Sequence, residues 1–236
     1  MSWSRLLLLV GILTGGTASA MAADMPDLPP PPLLPPRLID TNVGWYLRGD
    51  VGYGWGVMGS AQSPAPFPNP ADNSFGSGFV GGVGAGIKTQ WLRTDVTIDY
   101  TAPLKYQGSV VSSGDTTAKV DAVTALFNGY LDLGTWYSAT PYIGAGVGAA
   151  RLHATDYAAP FASGTSDTQW QLAWALMAGF GYAVAPNLMV DLGYRYLNFG
   201  DLTVGSDAGA TTLKNLAAHE VRVGVRWSFD DLPLVH

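Results

Sequence analysis

The last regular stretch of the chain alternates strictly between apolar and polar positions. One face carries His219, Val221, Val223, Val225, Trp227 and Phe229, and the other carries Glu220, Arg222, Gly224, Arg226 and Ser228. A period of two predicts a β-strand that separates two unlike environments. Three full charges on the polar face, and an aromatic pair at the end of the apolar face, favour a membrane-spanning strand over a strand of a soluble sandwich.

Seven further stretches show the same alternation, at residues 45–58, 77–88, 92–100, 120–133, 142–152, 169–184 and 188–198. In the fourth stretch both phases are plausible, and we place Val123, Ala125 and Phe127 outward and Thr124, Asn128 and Tyr130 inward. Long polar connections (residues 60–74, 105–118, 153–166 and 200–214) alternate with short turns. This layout is typical of a bacterial outer-membrane barrel with long external loops and both termini in the periplasm.

The predicted fold is therefore all-β, an eight-stranded antiparallel transmembrane up-and-down β-barrel spanning residues 44–229. A soluble, lipocalin-like barrel is the alternative, but its inner face would be apolar. Here the inward set is rich in glycine and charge, and closure of the barrel leaves no strand edge exposed to hydrocarbon. The membrane barrel accounts for both features.

The N-terminal part of the chain has a different character. Arg5, the apolar run 6–13 and the small residues 18–20 predict an export signal over residues 1–22, cleaved after Ala20 or Ala22. Residues 23–43 contain a proline tract, which we interpret as a polyproline II spacer in the periplasm; a docking peptide for a proline-binding partner is the alternative. Residues 230–236 form a C-terminal tail.

Composition excludes several classes of protein. The formal net charge of -6 argues against nucleic-acid binding. Charged residues make up 13% of the chain, about half the share of a soluble domain, yet no later segment reaches the ~20 apolar residues of a membrane helix. The absence of cysteine excludes disulfides, thiolate chemistry and an N-terminal lipid anchor.

Four motifs point to a family, at residues 52–56 (GYGWG), 141–148 (PYIGAGVG), 191–196 (DLGYRY) and 219–226 (HEVRVGVR). They resemble the small outer-membrane β-barrel "porin family" proteins, the OmpA-like, eight-stranded surface antigens. The resemblance covers nearly everything after the proline tract. It implies an integral protein of the cell outer membrane of a Gram-negative bacterium, in contact with outer-membrane lipid and lipopolysaccharide and inserted by the barrel-assembly machinery. Family members usually end on an aromatic residue, whereas this chain continues beyond Phe229.

Charged side chains on the inward face are the main candidate site. Besides Lys88, this lumen charge network comprises Arg48, Asp50, Arg93, Asp95, Asp99, Asp191, Arg195, Glu220, Arg222 and Arg226. Buried charges must be paired or hydrated. Strand direction predicts that Arg195 lies near Glu220, that Asp191 lies near Arg222 or Arg226, and that Asp50 faces the last strand. Two interpretations stay open: ion pairs that plug the lumen, or a polar path for ions. The narrowness of an eight-stranded barrel favours the plug.

Catalytic and cofactor chemistry has little support in the sequence. The run Gly144-x-Gly146-x-x-Ala149 matches part of a dinucleotide motif, but it lies inside a strand rather than at a strand-to-helix turn. His153, His219 and His236 are dispersed and lack metal-ligand spacing. We therefore predict no enzyme activity, no cofactor and no metal. Outward aromatic residues are expected to form girdles at the two membrane interfaces, namely Trp45, Trp91, Trp170, Tyr194, Tyr196, Trp227 and Phe229.

The sequence is compatible with three alternative functions. The first is structural: an abundant barrel that supports envelope integrity and surface properties, with its lumen plugged by the inward charges. The second is a narrow pore for ions or small solutes. The third is surface binding through the external loops, as an adhesin or as a receptor for an extracellular ligand. The expected protein partner is extracellular or periplasmic.

Overall fold

The computed structural model describes residues 44–63, 69, 71–110, 114–159, 162–163, 167–204 and 211–229. The expected signal peptide, proline spacer and C-terminal tail lie outside these residues. The described part of the chain contains only strands, at Gly44–Val57 (β1), Ser60–Gln62 (β2), Ala71–Phe75 (β3), Ser77–Lys88 (β4), Leu92–Val110 (β5), Gly114–Asp132 (β6), Ala139–Ala159 (β7), Ala162–Ser163 (β8), Asp167–Ala185 (β9), Leu188–Val204 (β10) and Thr211–Ser228 (β11). These residues include no helix with the length and apolarity that a membrane span requires.

Eight of these strands form a closed, all-antiparallel barrel, which confirms the predicted fold. They pair in the order β1, β4, β5, β6, β7, β9, β10 and β11, and β11 pairs again with β1. In the closing ladder Leu47 lies opposite Trp227 and Val57 lies opposite Ala217. Because every long strand has a neighbour on both sides, the backbone hydrogen bonds are satisfied within the wall, as a bilayer requires. The short strands β2, β3 and β8 extend the wall beside β11, β5 and β7.

The two faces of the wall differ as the alternation predicts. Outward side chains such as Phe79 (74% exposed) and Val51 (69%) are apolar, while inward side chains such as Arg93 (1%) and Glu220 (0%) are buried and charged. The orientation predicted for the fourth stretch agrees with the structure: Phe127 is exposed on the outer face, and Thr124 and Asn128 are buried on the inner face. Hydrocarbon around the barrel favours the apolar outer face, and the polar groups are thereby restricted to the lumen.

Inward glycines make room for these large lumen side chains. A Cβ atom at Gly86 would lie 2.8 Å from the ring of Tyr46 and 2.6 Å from Cβ of Asp95. A Cβ atom at Gly193 would lie 2.6 Å from the hydroxyl of Tyr142. The glycine-rich alternation therefore reflects packing inside a narrow barrel, and the run at Gly144 and Gly146 lies within strand β7 rather than at a phosphate-binding turn.

The four long loops predicted from the sequence are wrong in large part, because strands continue into them. Strand β5 extends to Val110 and β6 starts at Gly114, so most of the predicted loop 105–118 is a hairpin. Strand β7 extends into the predicted loop 153–166, which also contains β8, and strands β10 and β11 extend into the predicted loop 200–214. The predicted loop 60–74 contains β2 and much of β3. The barrel wall therefore continues past the apolar belt, where its outward residues are polar.

Irregularities in the ladders change the phase of two strands beyond that belt. The pairing of β5 with β6 shifts between Thr101 and Leu104, and that of β10 with β11 shifts between Asn198 and Leu202. Such bulges insert an unpaired residue and turn the following side chains to the opposite face. As a result Leu104 and Leu202, which continue the strands beyond the bulges, point inward and are buried.

Candidate functional site: the barrel lumen

Ionised side chains of both signs fill the part of the lumen near the short turns. Within the part of the chain that the structure describes, six basic and six acidic side chains point into the lumen, and their formal charges cancel. They are Arg48, Lys88, Arg93, Arg195, Arg222 and Arg226, with Asp50, Asp95, Asp99, Asp132, Asp191 and Glu220. All ten residues of the predicted network lie in this set, and the structure adds Asp132.

A four-residue cluster joins strands β5, β10 and β11. Asp99 accepts hydrogen bonds from Nη1 of Arg195 at 2.8 Å and from Nη2 of Arg222 at 2.5 Å. Glu220 accepts from Nε of Arg195 at 2.7 Å and from Nη1 of Arg222 at 3.2 Å. Each carboxylate therefore neutralises both guanidinium groups, and each arginine contacts both acids. The register of β10 and β11, in which Arg195 lies directly opposite Glu220, sets this geometry.

Asp50 connects this cluster to a second one around Asp95. Asp50 forms ion pairs with Arg222 and, at 3.1 Å, with Arg48. Arg48 also reaches Asp95 at 3.3 Å. Asp95 accepts further hydrogen bonds from the hydroxyl of Tyr46 at 2.9 Å and from the amide of Asn128 at 2.8 Å. Charge-assisted bonds of this kind compensate the cost of burying the carboxylate.

Aromatic rings and a further ion pair surround Arg93 near the short turns. The guanidinium carbon lies 4.8 Å from the ring centroids of both Tyr130 and Tyr142, a cation–π arrangement. Nη2 of Arg93 lies 2.8 Å from Asp132, which also lies 3.8 Å from Nζ of Lys88. These bulky side chains occupy the lumen at its short-turn end.

Arg226 and Asp191 complete the paired set on strands β10 and β11. Their side chains lie 3.1 Å apart, and the guanidinium of Arg226 lies 5.6 Å from the ring of Tyr46. Asp191 therefore meets Arg226, one of the two partners that strand direction suggests.

The space left between these clusters is small. An internal cavity of about 30 Å³ is lined by Asp50, Asp99, Asn128, Asp191, Arg195 and Arg222, among others. A cavity of that volume has room for one or two water molecules. Water in it would hydrate polar groups of the network rather than form a continuous column.

An apolar layer lies beyond the ion pairs, towards the long connections. It consists of small, branched and aromatic side chains that bury each other inside the wall: Ala61, Tyr106, Ala118, Val120, Ala122, Leu126, Ala150, Leu152, Ala154, Ala173, Ala175, Leu197, Phe199, Leu202, Leu213, Leu216 and Ala218. The sequence reasoning missed this layer because Tyr106, Leu202 and Leu213 fall in segments that it assigned to loops. The alternation of these apolar residues with polar neighbours could have indicated that the strands continue through these segments.

The predicted girdle residues lie on the outer face. Trp45, Trp91, Trp227 and Phe229 lie near the short turns and the two strand ends, where the backbone N–H of Phe229 donates to the carbonyl of Trp45. Trp170 and Tyr194 are exposed nearer the other end, and Tyr196 is half-buried there. Aromatic side chains at two levels are typical of the two membrane interfaces.

The histidines are placed apart from one another. Nδ1 of His219 lies 2.5 Å from the hydroxyl of Tyr194, and its ring contacts the rings of Trp55 and Tyr196 on the outer face. His153 is 3.0 Å from the hydroxyl of Thr168. His236 lies outside the described residues. In the described part of the chain, no group of three or more His, Cys, Asp or Glu side chains is arranged to hold a metal ion.

Comparison with known proteins identifies similar barrels. Residues 9–229 match the family model described as "Outer membrane protein beta-barrel domain". An uncharacterized protein of Brucella abortus is 30% identical, with 94% of this chain and 97% of that protein aligned. A Rickettsia conorii protein whose name describes a candidate adhesin is 26% identical over 78% of this chain and 81% of its own. The crystal structure of Neisserial surface protein A is similar with a TM-score of 0.50 and 26% identity, covering 79% of this chain and 97% of that one.

Proposed function

The chain belongs to the outer membrane protein beta-barrel domain family, and from this membership we propose that it is a structural barrel with a closed lumen. It is an integral protein of the outer membrane of a Gram-negative bacterium. In the proposed role it supports the integrity and the surface properties of the envelope without conducting solutes. Insertion by the barrel-assembly machinery and contact with lipopolysaccharide are part of the same proposal.

The paired lumen is the observation that carries this proposal. A conducting ion must exchange its hydration shell for polar groups that are free to receive it. Here the carboxylates of Asp99 and Glu220 are engaged by two arginines each. Because the twelve lumen charges cancel, the site also provides little net field to concentrate ions of one sign. The apolar layer adds a second barrier, since narrow apolar constrictions exclude water.

A narrow pore is the alternative function within the membrane, and the polar lining of the lumen cavity favours it. The cavity volume of about 30 Å³ and the apolar layer towards the long connections favour the closed barrel. Catalysis receives no support from the contacts of His219. Its neighbours Trp55, Tyr194 and Tyr196 provide rings and phenols, and such a set lacks the serine or cysteine nucleophile of a hydrolase.

Deleting the gene from its host tests the proposed envelope role. We expect deletion to increase sensitivity to detergents and to large antibiotics that an intact outer membrane excludes, and we expect the wild-type gene to restore resistance. Unchanged permeability in the deletion strain would contradict the role. The adhesin name of the Rickettsia relative favours a second candidate function, surface binding. Loss of attachment to host cells or matrix with normal permeability would support that function instead.

A further inference from the structure

The ladder between strands β9 and β10 stops before either strand ends. It ends at the pair Asn198–Trp174, and the segments of the two strands beyond this pair, 167–173 and 199–204, continue in the described structure without ladder pairs to each other. On their other sides both strands stay paired, β9 with β7 and β10 with β11. We refer to the boundary between these two segments as the β9–β10 seam.

A glutamine side chain joins the two strands across the seam. Nε2 of Gln169 donates to the backbone carbonyl of Thr203 at 2.5 Å, and the backbone N–H of Thr203 donates to Oε1 of Gln169 at 3.2 Å. A Cβ atom at Gly200 would lie 3.6 Å from the carbonyl oxygen of Leu172, so the strands are in contact and the seam is shut. The side-chain amide therefore satisfies backbone groups that a ladder would otherwise pair.

The backbone of β10 is irregular at the same level. Its register against β11 shifts between Asn198 and Gly200 and again between Gly200 and Leu202. Gly200 has a φ of +78°, in the left-handed region that favours glycine, and its N–H donates to the side chain of Asn198 at 2.9 Å. Bulges bend a strand and are frequent next to functional sites. The contacts that hold this segment to β9 therefore centre on Gln169.

Apolar groups lie on both sides of the seam. On the lumen side Ala173, Phe199 and Leu202 belong to the apolar layer and are 0%, 3% and 1% exposed. On the outer side Trp170 and Leu172 are 68% and 71% exposed, as is typical of side chains at the edge of the hydrocarbon region. Opening of the seam would therefore join the apolar layer to the surrounding lipid. It would leave the ion pairs intact, because they lie further towards the short turns.

We propose that the β9–β10 seam is a lateral entrance, held shut by Gln169, through which an uncharged apolar molecule passes from the surrounding lipid into the apolar layer. A glutamine side chain can release Thr203 by rotating, whereas release of a ladder requires whole strands to separate. Because β9 stays attached to β7 and β10 to β11, only the seam has to part. The lining determines the class of ligand, since aliphatic and aromatic walls disfavour a charged one. The entrance goes beyond the proposed envelope role, and the lumen stays closed to ions while it operates.

Labelling of a buried cysteine tests this entrance, because the chain has no cysteine of its own. Ala173→Cys places one thiol in the apolar layer beside the seam. The full-length protein is refolded into lipid vesicles and confirmed as a barrel by a heat-dependent gel shift. N-cyclohexylmaleimide is the apolar probe, and a sulfonated maleimide with the same reactive group is the water-soluble probe.

We expect the apolar probe to label Ala173→Cys faster than the sulfonated probe does. Adding Gln169→Leu, which retains side-chain bulk but removes both hydrogen bonds to Thr203, should increase the rate of labelling by the apolar probe about 10-fold. The matched control is Gln171→Leu, the same change two positions along β9, and it should leave the rate as it is in Ala173→Cys alone.

Equal rates with and without Gln169→Leu would overturn the role of Gln169. Equal or faster labelling by the sulfonated probe would overturn the lateral entrance, because the route would then be aqueous. Hydrogen exchange of the wild type needs no variant: amides of residues 199–204 should exchange faster than those of residues 150–154, which are paired on both sides. Equal protection of the two segments would also contradict the entrance. Permeability of the deletion strain is measured separately, so failure of the entrance is distinguishable from failure of the envelope role.

Discussion

Replacing Asp99 by asparagine will lower the free energy of unfolding by about 3–5 kcal/mol, the range for removing one partner of a buried ion pair. The substitution preserves volume but removes the charge that balances Arg195 and Arg222, which contact Asp99 at 2.8 and 2.5 Å. Glu220 would then be the only carboxylate paired with Arg195, and Arg222 would keep Glu220 and Asp50. Urea titration of the refolded barrel in lipid vesicles, followed by tryptophan fluorescence, measures the change.

Asp121→Asn provides the matched control, because the same chemical change is made at a half-exposed position on the outer face. We expect a shift within about 0.5 kcal/mol, as for surface substitutions in general. A loss of less than about 1 kcal/mol in Asp99→Asn would mean that the lumen charges contribute little as a network, and the proposed ion-pair closure would then be wrong.

Replacing Val223 by arginine will destabilise the barrel by about 2–4 kcal/mol, the cost of an arginine on the lipid face near mid-bilayer. Val223 is 49% exposed and lies between Val51 and Leu192, which also point outward. Its exposed half therefore faces hydrocarbon in a membrane. The same urea titration in vesicles gives the free-energy change, and the yield of heat-resistant barrel reports on assembly.

Val57→Arg is the control for depth. Val57 also faces outward but is the last residue of β1, towards the long connections, and pairs with Ala217. Near an interface the expected cost falls to about 0–1 kcal/mol. If both arginines had the same cost, or if Val223→Arg assembled with unchanged stability, the assignment of this face to lipid would be contradicted.

The barrel itself could be predicted from the sequence because lipid and lumen impose opposite demands on successive residues. In β11 inward charges such as Glu220 and Arg222 alternate with outward valines. The period of two can therefore be recognised in a single sequence. Strand direction also gives the approximate level of side chains on neighbouring strands: β10 runs outward and β11 runs back, which places Arg195 near Glu220.

The part of the barrel near the long connections could not be predicted in this way. Beyond the bilayer the outward residues contact water, so the pattern changes from apolar-out to polar-out, as in Leu104-Lys105-Tyr106-Gln107. Bulges near Thr101 and Asn198 also interrupt the phase. Long polar segments in which the alternation changes phase look like loops in a sequence. In the structure they form strands, and their inward residues form the apolar layer.

Contacts across the lumen were also beyond reach. Asp99 and Arg222 are 123 positions apart and lie on strands separated by β1 and β4. Whether their side chains meet depends on the tilt and stagger of the strands, which a single sequence does not specify. The pairing of Asp132 with Arg93 on the adjacent strand β5 was missed as well, because it depends on the two tyrosine rings that flank the guanidinium group.

Single-channel recording tests closure of the lumen most directly. The full-length protein, refolded in detergent and confirmed as a barrel by its heat-dependent gel shift, is inserted into a planar lipid bilayer beside a known porin as a positive control. Because ion pairs and the apolar layer fill the lumen that the structure describes, around a cavity of about 30 Å³, we expect no steady openings. Steady openings of the wild type whose conductance or ion selectivity changes in Arg222→Gln would contradict closure and establish a conducting path through the lumen.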